Sequence, residues 1–146
     1  MSDFDPTKAI GFNKLVGYQL VEWDLNRAAV ELDMTEGHLN GLGVAHGGVL
    51  VAALDYALGM SGSYQPPPAD RRWCMTITLT TNFVSPLKGK LLRTDSRLTG
   101  GGKTIFFAEG EITDENGTLV ASAMGSFRRL KNKPDMSTSI PASREI

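Results

Sequence analysis

The chain has 146 residues with 15 basic and 16 acidic side chains, a net charge of −1, and 41% hydrophobic residues, which suits one globular domain with a sizeable core. No basic excess is present to hold a nucleic-acid backbone, MSDFDPTKAI lacks the layout of a signal peptide, and no apolar run reaches the ~18 residues of a membrane span. The single cysteine, Cys74, excludes an internal disulfide, and the chain reads as cytoplasmic.

Residues 5–16 are expected to form a short helix, with Asp5 as N-cap and Pro6 at its first position. Residues 18–34 read as two strands about a turn near Asn26, because Val30, Leu32 and Met34 alternate with Ala29, Glu31 and Asp33. Residues 35–48 are glycine-rich and irregular. From Val49 to Met60 the only charge is Asp55, the pattern of a helix buried on every side. Three consecutive prolines make 61–72 a surface loop.

CMTITLTTNFVSP alternates strongly, placing Met75, Ile77 and Leu79 on one face and Thr76, Thr78 and Thr80 on the other. Three more strands follow at about 90–99, 103–113 and 118–129. Gly100–Gly102 turns the first corner between them and Asn116-Gly117 the second. From Lys131 the chain is polar and contains Pro134 and Pro141. One domain is therefore expected over 1–130, with a poorly ordered tail over 131–146. Runs of strands around one long helix make the fold class α+β.

A lone carboxylate in an apolar helix calls for a reason, since burying its charge unpaired costs several kcal/mol. Reaching the helix edge, to meet solvent or a partner chain, is one reading; lining a catalytic site is the other. An unperturbed aspartate near ~3.9 is a weak base at neutral pH, and apolar surroundings are expected to raise it. Just before the helix stand His46, Gly47 and Gly48. The first amides of a helix lack internal partners and carry its positive dipole end. An N–H at Gly47 or Gly48 is thus a candidate oxyanion donor.

Asn40, His46-Gly47-Gly48 and Asp55, spaced N-x5-H-G-G-x6-D, resemble the signature of the hotdog-fold acyl-CoA thioesterases of the phenylacetate-degradation (PaaI-like) group. The resemblance covers roughly residues 15–130 and includes NFVSPLKGKL and DENGTLVASAMGSF. It implies an antiparallel sheet wrapped around a long central helix. It makes Asp55 the nucleophile or general base, and the Gly47 amide the group that polarises the thioester carbonyl. Asn40 and His46 would orient the loop and the thioester, and a hydroxyl from the neighbouring subunit, best matched by Thr76, would assist the water. Gly48, Gly102 and Lys103 would contact the substrate, the last two near the pantetheine or phosphates of coenzyme A. It further implies no metal and no cofactor beyond the coenzyme A of the substrate, a homodimer with shared sites, and a homotetramer. The substrate would be a small, medium-chain or aryl acyl-CoA.

Other features lead elsewhere. GGGKT (100–104) resembles a phosphate-binding loop, but Arg97 stands where that pattern needs glycine, and the stretch joins two strands. Cys74 reads as a core or strand-end residue. His38 and His46, with Asp33 and Glu36, are not at metal-ligand spacing. Arg71, Arg72, Arg128 and Arg129 are candidates to meet coenzyme A phosphates, but paired surface arginines are commonplace and none is assigned that role. Two further functions compete. Hotdog dehydratases of 3-hydroxyacyl thioesters pair a His beside Phe-Pro with a helix carboxylate, whereas His46 is followed by Gly-Gly. A non-catalytic acyl-CoA-binding protein of this fold would carry upstream DNA-binding helices, for which the short N-terminus leaves no room.

Overall fold

A computed structural model describes residue 5 and residues 7–135. Pro6 and residues 136–146, most of the expected tail, lie outside the described residues. The elements are a short helix α1 (Phe12–Val16), strands β1 (Gln19–Asp24) and β2 (Arg27–Asp33), a 3₁₀ turn over Glu36–His38, the long helix α2 (Gly47–Ser61), and strands β3 (Cys74–Phe83), β4 (Leu91–Gly101), β5 (Ile105–Thr113) and β6 (Leu119–Arg129). The six strands form one antiparallel sheet in the order β1-β2-β4-β5-β6-β3. Thus β1 and β3 are its edges. No helix among the described residues is long and apolar enough to cross a membrane.

The N-terminal helix is shorter than expected. Asp5 caps a turn instead, accepting from the N–H and hydroxyl of Thr7 at 2.9 and 2.6 Å. Helical structure starts only after Gly11 and stops at Gly17, whose φ of 105° is the left-handed conformation that glycine adopts without strain. The hairpin β1–β2 turns at Leu25-Asn26, with Asn26 at φ 62°.

Helix α2 lies against the concave face of the sheet. Leu50, Ala53, Leu54, Ala57 and Leu58 are buried there with Leu92, Phe106, Ile112 and Phe127. A fully buried leucine or phenylalanine contributes about 1.5–3 kcal/mol, so this layer dominates the core. Three side chains fix the helix along its axis. The Tyr18 hydroxyl donates to Val49 O at 2.6 Å, Ser96 Oγ to Ala57 O at 2.7 Å, and Trp23 Nε1 to Met60 O at 2.9 Å.

Burial on every side does not hold. Val51, Ala52 and Asp55 stay half-exposed, and their three- and four-residue spacing makes them one stripe. The sheet ends at β3 before covering it. The proline-rich segment also departs from expectation, because Ser61, Gly62 and Ser63 are buried and the chain surfaces only from Pro66.

The largest correction concerns β3. The pairing with β6 shifts register between Thr76 and Thr78, a bulge that inserts Ile77 and reverses the facing of the strand. Thr76 is therefore opposite Phe127 and faces α2, and so does Leu79, which packs against the core. Thr78 instead bonds the outward Ser126 hydroxyl at 2.6 Å. The simple two-face alternation fails at that one residue.

Candidate active site

The bulge brings Thr76 to Asp55. Its Oγ1 donates to Asp55 Oδ1 at 2.6 Å, holding the carboxylate on the open stripe and leaving Oδ2 for water. The resemblance placed this hydroxyl on a neighbouring subunit; here both residues belong to one chain. The pair sits beside exposed apolar side chains of β3, with Met75 61% and Ile77 51% accessible.

A second cluster forms at the start of α2. His46 is the N-cap, and its Nδ1 accepts from Gly48 N–H at 2.8 Å. That contact makes Nδ1 the unprotonated nitrogen and Nε2 the N–H. The N–H of Val49 is taken by His46 O at 2.9 Å. Among the described residues this leaves the Gly47 N–H, first of the helix, without a partner. Of the two candidate oxyanion donors, Gly48 is therefore committed to the cap and Gly47 is available. The Phe83 ring lies against Gly47, 3.5 Å from where a Cβ would stand.

Asn40 builds the loop that presents this helix start. Its Oδ1 accepts from Leu42 N–H at 2.9 Å and Val44 N–H at 3.4 Å, while its own N–H donates to Val44 O at 2.8 Å. His38 supports the loop from behind. Its Nδ1 accepts from Thr35 N–H at 3.0 Å, so Nε2 donates to Val16 O at 2.7 Å. It is a structural brace. Beside His46 and Gly48 opens a cavity of about 740 Å³ whose apolar lining includes Phe12, Leu15, Val16, Leu32 and Val49.

Gly102 and Lys103 join neither cluster. They form the β4–β5 corner, where their carbonyls accept from Arg129 Nη1 at 2.7 Å and Arg72 Nη2 at 3.1 Å. Cys74 is largely buried near Gly59 O and the Ser63 hydroxyl, and burial pushes its thiol above the ordinary value. No group of three or more His, Cys, Asp or Glu able to hold a metal occurs among the described residues. Tyr56, Leu58 and Met60 of α2 belong to the core.

A sequence profile of the thioesterase superfamily matches residues 42–121, from the loop before α2 into β6. The chain belongs to the thioesterase superfamily. It is 28% identical over 137 residues to a protein of Saccharolobus solfataricus provisionally named an esterase, covering 88% of this chain and 96% of that one. Among solved structures it is similar to the conserved protein PA5202 of Pseudomonas aeruginosa (TM-score 0.74, 24% identity, 86% of this chain and 97% of that chain). It is also similar to the E. coli PaaI protein of the phenylacetic acid degradation operon (TM-score 0.71, 23% identity, 81% and 83%). A third similar structure, the BH2602 protein of Bacillus halodurans, was solved with CoA (TM-score 0.64, 30% identity, 70% and 66%).

This thioesterase-superfamily chain thus has the hotdog fold, with α2 as the central helix. Sequence reasoning missed Phe83 beside Gly47 and the commitment of the Gly48 amide to the His46 ring. The first had a faint signal, an aromatic in the quoted NFVSP; the second had none beyond the capping preference of polar residues before a helix.

Proposed function

We propose that the protein hydrolyses acyl-CoA thioesters to free acid and coenzyme A, with Asp55 as nucleophile or general base and the Gly47 amide as oxyanion donor. The observation that carries this reading is the Asp55–Thr76 pair, a carboxylate oriented by a 2.6 Å hydrogen bond on a stripe the chain's own sheet leaves open. Superfamily membership supports thioester hydrolysis, and the CoA held by the Bacillus halodurans neighbour supports the carrier.

Geometry adds a requirement. Gly47 and Asp55 are eight residues apart on one helix, and at 1.5 Å rise per residue they stand about 12 Å apart along its axis. One carbonyl cannot meet both, since an attacking oxygen and an oxyanion donor must each approach within about 3 Å. Two copies solve this if Asp55 of one faces Gly47 of the other. The edge of β3 supplies the means: ten residues of open strand with Met75, Ile77 and Phe83 exposed, which needs pairing to avoid indiscriminate association. The homodimer is thus part of the proposal. A homotetramer is supported only by the outward apolar residues Ile105, Phe107 and Met124.

In the water-mediated form, Asp55 takes a proton from water as its oxygen bonds to the thioester carbon. The carbonyl oxygen gathers negative charge against the Gly47 N–H. Collapse breaks the C–S bond, and the thiolate leaves with the proton held by Asp55. In the direct form Asp55 attacks the carbon, the C–S bond breaks to release the thiolate, and water then cleaves the anhydride to free acid and the regenerated Asp55 carboxylate. The acyl group would enter the apolar cavity beside His46, which suits medium-chain or aryl groups. A dehydratase would use His46 as a base, and here Nδ1 of that ring is already engaged in capping.

Free-thiol release from acetyl-, medium-chain and phenylacetyl-CoA, with wild type beside Asp55→Asn, tests the reading. Turnover by wild type that disappears in a folded variant is the expected result. No turnover on any ester, with coenzyme A still bound, would sink it.

A further inference from the structure

Helix α1 buries none of its side chains, and Phe12 and Leu15 stand 62% and 83% exposed on it. Gly11 and Gly17 bound it at φ 57° and 105°, left-handed conformations that glycine takes without strain. Of its residues only Val16 packs against the core. So short a helix does not hold itself together in water. Yet Phe12, Leu15 and Val16 form one wall of the apolar cavity beside His46. Something other than packing must set where that wall stands.

His38 does so from the 3₁₀ turn. Its Nε2 donates to the carbonyl of Val16, the last residue of α1, at 2.7 Å. Among the described residues no other side chain bonds the backbone of that helix. On the other side of the ring, Nδ1 accepts from Thr35 N–H and closes a reciprocal capping box with the Thr35 hydroxyl. The main chain of the same residue reaches α2. His38 O accepts from His46 N–H at 2.9 Å, and Leu39 pairs with Ala45 beside it. Gly47, the proposed oxyanion donor, is the next residue. One residue thus connects the wall of the cavity to the start of α2, its ring holding one and its carbonyl the other.

We infer that His38 is a positioning residue for the reaction: it sets α1, as the wall of the acyl cavity, against the helix start that carries the Gly47 amide, and so selects acyl groups long enough to reach that wall. The inference rests on the acyl-CoA reading above and deepens it by naming the substrate class, medium-chain and aryl-acyl rather than acetyl thioesters. An acyl group held between Phe12, Leu15 and Val49 keeps little freedom, so its carbonyl stays where the amide can meet it. An acetyl group ends one methyl beyond the carbonyl and gains nothing from the wall. The capping box alone would close the turn, and glutamate serves in that place as well. The imidazole adds an N–H that glutamate lacks, and that N–H is the one spent on Val16.

That difference gives the test. His38→Gln keeps an acceptor for Thr35 and an N–H for Val16, whereas His38→Glu keeps the acceptor alone. Thiol release is compared for octanoyl- and acetyl-CoA, beside thermal unfolding. Hydrogen exchange is followed at the Leu15 and Gly17 amides, which bond Gly11 O and Asn13 O, with and without octanoate. In His38→Glu the ratio of kcat for octanoyl-CoA to that for acetyl-CoA is expected to fall about fivefold to tenfold, the scale of one hydrogen bond. Phe12→Ala/Leu15→Ala should reproduce the fall through the wall itself, and His38→Gln should retain the wild-type ratio. Octanoate should slow exchange at the two amides in wild type and in His38→Gln, and not in His38→Glu. Both esters falling together in His38→Glu, a ratio that survives it, or a wild type that turns over the two esters alike would overturn the inference and leave hydrolysis standing. The expected exchange pattern without turnover of any ester would leave the role of His38 standing and overturn hydrolysis.

Discussion

Proline is tolerated at the first position of a helix, where its missing N–H has no helical partner. His46 already has the extended backbone, φ −61° and ψ 135°, that a residue before proline favours. Gly47→Pro should therefore keep nearly native stability and lose only the amide. Turnover is expected to fall about 10²–10³-fold, read by thiol release beside thermal unfolding; a folded variant with full turnover would remove Gly47 from the mechanism. Two buried phenols give a second prediction. Burial pushes Tyr18 and Tyr56 above the ordinary tyrosine value, so the folded state holds these protons more tightly than the unfolded one. Their stabilisation is complete below about pH 10 and is lost as pH rises further. The Tyr18 hydroxyl bonds Val49 O, whereas the Tyr56 hydroxyl is buried and has no hydrogen-bond partner among the described residues. In denaturant titrations Tyr18→Phe should cost about 1 kcal/mol and Tyr56→Phe nothing or less than nothing. At this scale the positions of Asp55 on the half-open helix and of Gly47 at its start were legible, because a charge in an apolar run and glycines before a helix are local signals. The hydrogen bond of Thr76 to Asp55 within one chain was not, since one inserted residue leaves no mark in a run alternating threonine with apolar residues.

Helix α2 and the sheet meet so closely that one glycine of β5 admits no side chain. A methyl at Gly110 would stand 2.7 Å from Asp95 O and 2.8 Å from Leu58 Cδ1. Gly110→Ala is expected to destabilise the fold by about 1–3 kcal/mol; an unchanged midpoint in denaturant would show that the contact yields. The strands β4, β5 and β6 were legible to within a few residues, because glycine marks the corners between them. The length of α1 was not. Asp5 can cap a helix or a turn with the same oxygen, and nothing local decides between them. The open stripe of α2 was also invisible, because an apolar helix reads alike whether its own sheet or a second chain covers it.

At the scale of the whole molecule the proposed shared site has an arithmetic signature. On that proposal Asp55→Asn and Gly47→Pro disable opposite halves of each site, so a two-fold dimer carrying one of each keeps one intact pairing. Mixing the inactive variants after dissociation should restore about a quarter of wild-type turnover; persistent inactivity in verified heterodimers would show that each chain works alone. Charge has a consequence of its own. Arg71, Arg72, Lys103, Arg128, Arg129, Lys131 and Lys133 line one cavity at the end of the sheet where β3 begins, with Asp70 the one acid among them, and the rest of the protein carries eight basic and fifteen acidic side chains. A net charge near zero thus conceals strong polarisation, which composition alone does not show. An anion diffusing toward most of the surface is repelled, and toward one end is drawn in, so the field sorts approach directions before any contact forms. Capture of such an anion is then fast in dilute buffer and slows as salt shortens the reach of the field.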